Sequence, residues 1–313
     1  MRTELAEEYT QKSKPRRDKN SSPPPDQPSL WPAQLPNHPE SPVLAGESGE
    51  SGRSARAESE AGMETSTGRE KKAIQDVLFG EGLHAVKLSL EVTKLEDLQE
   101  RVEANLRQNS SETRRRYAQS VVRWFFPDGF EGLARRVWAA YRDERVESDI
   151  LRYLYLSSEP IMGACVADAL FPLQEGIVIP ADYFDRFLSN YLHAAPAPKT
   201  RKRVKMNLVK LGFLKPAPGG GHRLDPITPT KTGFIVLLHH VFAPVQPRTI
   251  ELRHLFANPF WKYLGLKSED TVRGVIREAN ASGFLGKYVV ADELEQITSC
   301  LSLAEILKRG VRL

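Results

Sequence analysis

The sequence predicts a mainly α-helical protein with small β wings, in which a helical bundle is followed by tandem winged helix-turn-helix modules. Three observations predict this fold class. Apolar residues recur at three- and four-residue spacing through residues 95–172, which is the period of an amphipathic helix. A basic helical stretch near residue 200 is followed by a glycine-rich segment, and a similar stretch recurs 71 residues later.

The chain of 313 residues is long enough for two or three domains. Residues 1–75 are rich in Pro, Gly, Ser and charge, so they bury too little apolar area to offset chain entropy and are expected to form a disordered tail. The composition becomes globular near Met63, which suggests a translation start there. The rest of the chain is predicted to form three domains: a helical bundle over 76–176, a first winged helix over 177–227 and a second winged-helix-like domain over 228–313.

Within the bundle, apolar and polar residues alternate over residues 86–92, which predicts one short strand. A helix should follow over residues 95–106, and Ser110 or Ser111 can cap the next helix, because a serine hydroxyl accepts from the free N–H groups of the first turn. Further helices are expected at about 130–142, 146–157 and 160–170.

The first winged helix is predicted from the order of its segments. A helix over residues 181–192, a turn over 194–198 and a basic helix lead into the glycine-rich stretch Pro218–Gly221. Helix, turn, basic helix and glycine-rich hairpin is the order of a winged helix-turn-helix.

The second winged helix is predicted from an internal repeat. Residues 200–214 and 271–285 share five of fifteen positions, including a Gly-Phe-Leu ending in which glycine can close a helix in the left-handed conformation. Any amphipathic helix that ends in glycine would share some of these matches. The other expected elements of this unit are an apolar element over 233–242, a helix over 249–256, a helix capped by Ser268, a strand over 287–291 and a helix over 303–309.

The candidate binding site is the first half of the basic helix, because that end of a recognition helix meets base edges and phosphates. His222 and Arg223 would extend the charge onto the wing, and a second basic cluster lies within the bundle at residues 114–116. The candidate nucleic-acid-binding residues are Arg114, Arg115, Arg116, Lys199, Arg201, Lys202, Arg203, Lys205, His222 and Arg223. Both clusters have a plainer interpretation as solvated helix faces, and Glu112 could pair with the second.

Other function classes find little support in the sequence. No catalytic motif, metal-ligand spacing or cofactor loop is present, and Cys165 and Cys300 are isolated, so no catalytic residue, metal, cofactor or small-molecule substrate is expected. No apolar run approaches the ~20 residues of a membrane span, and we expect a cytoplasmic protein. Net charge is +4, with eight Lys/Arg and ten Asp/Glu in residues 1–62, so the rest of the chain is basic. That surplus favours double-stranded DNA as partner, and the alternative is a scaffold that docks proteins.

Part of the chain resembles a known family. Residues 105–116, Asp185 to Leu188, Lys199 to Val204 and Leu211 to Leu214 resemble the BrxA accessory protein family of BREX bacteriophage-exclusion systems. The resemblance covers about residues 95–225. It implies a non-enzymatic, DNA-binding component of a bacterial defence locus, with other defence-system proteins as partners. The DNA contacts it implies are Arg114, Arg115, Arg116, Lys199, Arg201, Lys202 and Lys205. The N-terminal tail and the second winged helix depart from the family pattern.

Overall fold

The computed structural model describes residues 74–244, 247–291 and 294–311. The expected disordered tail lies outside these residues, apart from Ile74 and Gln75. Ile74 is only 3% exposed, so packing against the core already includes this residue. The described residues belong to one compact unit with a shared hydrophobic core.

The first part of the fold is a bundle of helices. Its helices are α1 (Phe79–Leu88), α2 (Leu95–Asn105), α3 (Ser111–Phe125), α4 (Leu133–Tyr141), α5 (Glu144–Ser158) and α6 (Pro160–Ala164), which continues as a π-helix over Cys165–Leu170. Ser110 caps α3 as expected, since its hydroxyl accepts from the Thr113 N–H. The helix α5 packs against α1, α3 and α4, and Tyr155 on it meets Trp124 edge-to-face with ring centroids 5.1 Å apart.

The strand predicted over residues 86–92 is wrong, because α1 extends to Leu88 and a turn follows it. Close packing accounts for the helix. A side chain at Gly82 would meet the Phe125 ring at 2.3 Å, so glycine there lets α1 approach α3 closely. Long-range packing of this kind overrides a short alternating pattern.

The second part contains two helices and a small sheet. Its elements are β1 (Val178–Ile179), α7 (Tyr183–Leu192), α8 (Pro198–Lys210), β2 (Leu214–Pro216) and β3 (His222–Leu224). The sheet is antiparallel in the order β1-β3-β2. Gly212 has φ +87°, so the predicted left-handed glycine at the end of the basic helix is confirmed.

The third part repeats this plan with more helices. Its elements are α9 (Lys231–Phe242), β4 (Thr249–Glu251), α10 (Leu252–Ala257), α11 (Phe260–Tyr263), α12 (Glu269–Ala281), β5 (Lys287–Ala291), β6 (Leu294–Thr298) and α13 (Leu303–Arg309). The sheet is antiparallel in the order β4-β6-β5. Gly283 also has a left-handed φ of +72°. The helix predicted to start at Thr249 begins only at Leu252, because residues 249–251 pair with β6.

A buried ion pair on α5 joins these three parts. Arg152 Nη1 donates to Asp149 Oδ1 at 2.9 Å, and Arg152 Nε donates to the Leu211 carbonyl just beyond α8 at 3.1 Å. The other Asp149 oxygen accepts from the backbone N–H and the hydroxyl of Thr230, each at 2.7 Å. Thr230 in turn caps α9. Two adjacent turns of α5 therefore hold the end of α8 and the start of α9.

We predict that Arg152→Met lowers the free energy of unfolding by about 3–5 kcal/mol, because it leaves Asp149 charged, buried and unpaired. Arg101→Met is the matched control, since Arg101 pairs with Glu91 at the surface and should cost less than about 1 kcal/mol. Chemical denaturation of both variants measures the difference. Equal losses in the free energy of unfolding would contradict the conclusion that the Asp149–Arg152 ion pair joins the three parts of the fold.

Glu147 makes stability depend on pH. It is fully buried on α5, neither carboxylate oxygen has a hydrogen-bond partner among the described residues, and burial raises its pKa well above the ordinary 4.5. The folded protein therefore holds this proton more tightly than the unfolded chain, and stability falls as pH rises above about 4.5.

We predict that Glu147→Gln is more stable than the native protein at pH 8, because the amide has no proton to release as pH rises. The difference should shrink at pH 5. Urea denaturation at both pH values measures it, with Glu144→Gln at an exposed position as the control. A Glu147→Gln difference that does not change with pH would rule out this role for the carboxyl group.

Candidate nucleic-acid interface

The basic helix α8 has one face in the core and one towards solvent. Val204, Leu208 and Leu211 are buried, which is the inner face expected from their spacing. Pro198 occupies the first turn, and no side chain caps the start of α8. The cations in the first half of the helix are consequently distributed over its outer and lateral faces.

Lys199 and Lys202 are the exposed cations of this first half. They lie three positions apart, so they share one helix face. Among the described residues, no carboxylate lies within ion-pairing distance of either lysine. Met206, one turn beyond Lys202, is 41% exposed and extends the same face. This face, defined by Lys199, Lys202 and Met206, is called the outer face of α8 below.

The other three candidate cations of α8 make contacts within the protein. Arg201 Nη1 donates to Asp185 Oδ2 on α7 at 2.9 Å, and Lys205 Nζ donates to the Ala181 carbonyl at 2.8 Å. Arg203 Nη1 donates to the Ile74 carbonyl at 2.7 Å, and its Nε lies 3.6 Å from Asp76. The uncompensated charge on α8 is therefore smaller than five cations in seven residues suggests.

Residues 74–77 run along one side of α8 and are called the strap below. Asn207 binds the strap with its whole side-chain amide: its Oδ1 accepts from the Val77 N–H at 2.9 Å, and its Nδ2 donates to the Gln75 carbonyl at 2.8 Å. Lys210 Nζ donates to the Val77 carbonyl at 3.2 Å. Arg203, Asn207 and Lys210 share one side of the helix, so this side of α8 is occupied by the chain itself.

The strap also contacts α3, which carries the second basic cluster. Gln75 Oε1 lies 2.5 Å from the Ser120 hydroxyl, which is in turn 2.9 Å from the Arg116 carbonyl. Asn207 Nδ2 is 2.9 Å from the Tyr155 hydroxyl on α5. Burial raises the pKa of this phenol, so it stays protonated. The strap thus links α3 to α8 through polar contacts, and Asn207 also links α8 to α5.

The three arginines of the second cluster differ in environment. Arg114 Nη1 donates to the Gln108 carbonyl at 2.8 Å and is half-buried. Arg115 and Arg116 are exposed, with the Arg116 guanidinium 5.8 Å from the centre of the Tyr117 ring. Only Arg115 and Arg116 therefore present charge to solvent, and Glu112 makes no ion pair with them among the described residues.

The β2–β3 hairpin contributes one exposed cation that has no ion pair among the described residues. Arg223 is exposed on β3, whereas His222 is half-buried. Lys215, opposite Arg223 on β2, lies 2.7 Å from Asp225. Arg223 and Lys215 are cross-strand partners, so their side chains emerge on the same side of the sheet.

The corresponding helix of the third part has the opposite character. Arg273 on α12 binds three carboxylates, those of Glu269, Asp270 and Glu295, at 2.9 to 3.2 Å. Glu269 and Asp270 open the helix, and Asp270 is 92% exposed. The start of α12 would therefore repel phosphate, as the sequence indicated.

Other kinds of site are not supported by the described part of the chain. It has no group of three or more His, Cys, Asp or Glu placed to hold a metal ion, and no helix in it has the length and apolar character needed to cross a bilayer. Cys165 is buried and Cys300 is exposed, each as a free thiol. No protein-family model matches the chain, and neither the curated proteins nor the solved structures contain a significant match.

Sequence reasoning missed the strap, although one local signal was present. Ile74, Val77 and Leu78 are apolar at three- and four-residue spacing and directly follow a charged segment, which marks the start of a packed region. The sequence does not indicate that this segment packs beside a helix 130 residues away.

Proposed function

We propose that this protein is a non-enzymatic DNA-binding accessory or regulatory protein that binds double-stranded DNA through a winged helix-turn-helix made of α7, α8 and the β2–β3 hairpin. The observation that carries the proposal is the outer face of α8, where Lys199 and Lys202 are exposed and unpaired by any described carboxylate. In a helix-turn-helix, the second helix is the one that enters the major groove.

The order of elements supports this assignment. A strand, two helices and a hairpin follow one another, and β1 joins the hairpin by pairing with β3. At about 1.5 Å per residue, the 13 residues of α8 extend roughly 20 Å, long enough to lie across a major groove about 12 Å wide. The exposed lysines lie at the uncapped start of the helix, where free N–H groups and the helix dipole also favour phosphate.

The exposed arginines extend the proposed interface beyond α8. Arg115 and Arg116 lie on α3, which the strap connects to α8 through Gln75. Arg223 lies on the wing. Arginine and lysine contacts to phosphate give sequence-independent affinity that weakens steeply with salt. We therefore expect electrostatic contacts with phosphate to provide most of the binding free energy for duplexes of arbitrary sequence.

The third part favours a second function, docking of a partner protein by a second winged-helix-like unit. The start of α12 is acidic, and the β5–β6 hairpin exposes Val290 (62%) and Leu294 (42%). Exposed apolar residues beside carboxylates are typical of protein contacts. In this proposal one unit binds DNA and the other binds protein.

The resemblance of residues 95–225 to the BrxA family suggests a biological setting for this proposal. A DNA-binding accessory protein of a bacterial phage-defence locus would act in the cytoplasm, with other defence-system proteins as candidates for the acidic unit. Co-purification with the products of neighbouring genes tests that setting.

We predict that Lys199→Ala/Lys202→Ala weakens binding to a duplex of arbitrary sequence by about tenfold at 0.1 M salt, because two phosphate contacts are lost. The matched control is Lys287→Ala/Lys308→Ala, which removes the same charge from exposed positions of the third part. Fluorescence anisotropy with labelled duplex measures both, and the melting temperature should not change.

Equal binding by the α8 variant and the native protein would contradict DNA binding through α8. If the native protein binds no duplex and carries no nucleic acid after purification, seen in its 260/280 nm absorbance ratio, the scaffold function is favoured instead.

A further inference from the structure

The outer face of α8 is left to solvent, whereas the described residues engage this helix on its other sides. The inner face packs in the core, and one side binds the strap through Arg203 and Asn207. The opposite side is held by Arg201, which binds α7, and by Lys205, which binds the segment just before α7. A contact between α8 and a groove of DNA must therefore use the outer face.

Met206 lies between the two lysines of the outer face. An α-helix turns by about 100° per residue, so Lys199 and Lys202 are about 60° apart around the axis, and Met206 falls inside that arc. Along the axis, Met206 is about 6 Å beyond Lys202. Among the described residues of α8, Met206 is the large apolar residue that is exposed, at 41%. A helix that turns its two lysines towards DNA therefore also turns Met206 towards it.

Methionine suits one kind of group on the base edges. Its thioether sulfur is a weak acceptor, so Met206 cannot form the strong hydrogen bonds that the polar groups of base edges require. Covering such a group without a partner costs free energy. The C5-methyl group of thymine is the apolar group that base pairs present in the major groove, and apolar side chains recognise it by contact. The unbranched methionine side chain can adapt to the position of that methyl group.

We propose that Met206 contacts the C5-methyl group of thymine in the major groove, so that α8 prefers duplexes that carry this methyl group over duplexes that lack it. This inference rests on the proposed function of α8 and adds base selectivity to it. Lysine contacts with phosphate position the helix and carry no sequence information, so Met206 supplies the readout. The attachments of α8 to α5 and to the strap hold Met206 in a fixed orientation.

The test is duplex binding by the full-length protein, measured by fluorescence anisotropy at about 0.1 M salt. One duplex has an alternating dA-dT sequence, and in the other duplex uracil replaces every thymine. The two duplexes have the same charge and the same hydrogen-bonding groups, and they differ in the methyl groups. We expect the native protein to bind the thymine duplex about threefold more tightly, the ratio for removing one methyl-sized apolar group from water. Equal binding to both duplexes would overturn the inference.

Two variants at residue 206 assign the preference to this side chain. Met206→Ala removes the apolar contact, so we expect it to bind the two duplexes equally. Met206→Leu keeps an apolar side chain of similar volume and should retain the preference for thymine. Ala, Leu and Met all favour the helix, so the melting temperature should match that of the native protein. Persistence of the preference in Met206→Ala, or its loss in Met206→Leu, would overturn the readout by Met206.

A second pair of duplexes separates the methyl contact from a change in duplex shape. 5-Methylcytosine carries a methyl group at the same ring position as thymine, so it adds major-groove methyl groups to an alternating dG-dC duplex. We expect the native protein to bind the methylated duplex more tightly than the unmethylated one, and Met206→Ala to bind both equally. Native binding that is unchanged or weakened by the methyl groups would count against the contact and overturn the inference.

The Lys199→Ala/Lys202→Ala variant distinguishes this inference from the proposed function of α8. If that variant is weakened on every duplex while the native protein binds the thymine and uracil duplexes equally, the readout by Met206 is overturned and the α8 interface stands. If the native protein binds none of the duplexes, both proposals fail.

Discussion

The ion pair between Asp149 and Arg152 is the interaction on which the arrangement of the fold depends. Both residues lie on α5, at the centre of the bundle, and both are almost fully buried. Burial of a charge is costly unless its hydrogen bonds are satisfied. Here the requirement is met by the Leu211 carbonyl after α8 and by Thr230 before α9, so the bundle can accept the two charges only when the other two parts are docked.

This arrangement has a consequence for the basic helix. The end of α8 is held by Arg152 on α5, and its side is held by the strap through Asn207. Two polar attachments and the apolar inner face leave little freedom for α8 to rotate. The residues that face solvent, Lys199, Lys202 and Met206, are therefore presented in one fixed orientation, which limits the conformational entropy that binding would cost.

The same contacts show which cations of α8 stabilise the fold and which remain available to bind a partner. Arg203 and Lys210 hold the strap, and Arg201 pairs with Asp185, so these cations contribute to structure. Counting basic residues along α8 overstates the charge available to a polyanion. Among the candidate residues, the cations left over for a polyanion are two lysines on α8, two arginines on α3 and one arginine on the β2–β3 hairpin.

Local chemistry explains which elements could be predicted from the sequence. Ser110 and Ser268 cap helices, and Gly212 and Gly283 end them, because caps and left-handed glycines depend on a few neighbouring residues. The position of the basic helix α8 was also predicted correctly, because the four-residue spacing of its buried residues Val204 and Leu208 is a local pattern.

Contacts between distant residues explain what could not be predicted. Residues 86–92 alternate like a strand, yet packing of Gly82 against Phe125 favours a helix that ends at Leu88. Strand β4 exists because it pairs with β6, 45 to 49 residues further on. Arg203 and Lys205 bind the carbonyls of Ile74 and Ala181, which lie on segments that no sequence pattern relates to α8. These contacts account for most of the difference between the predicted and the observed candidate site.

The central claim is that the outer face of α8 meets DNA, and Met206 on that face allows it to be observed directly. The chain has four methionines, of which Met162 is fully buried in the bundle. Titration of duplex DNA into protein labelled with ¹³C at the methionine methyl groups should shift the Met206 signal and leave the Met162 signal in place. Saturable DNA binding with an unmoved Met206 signal would contradict the account.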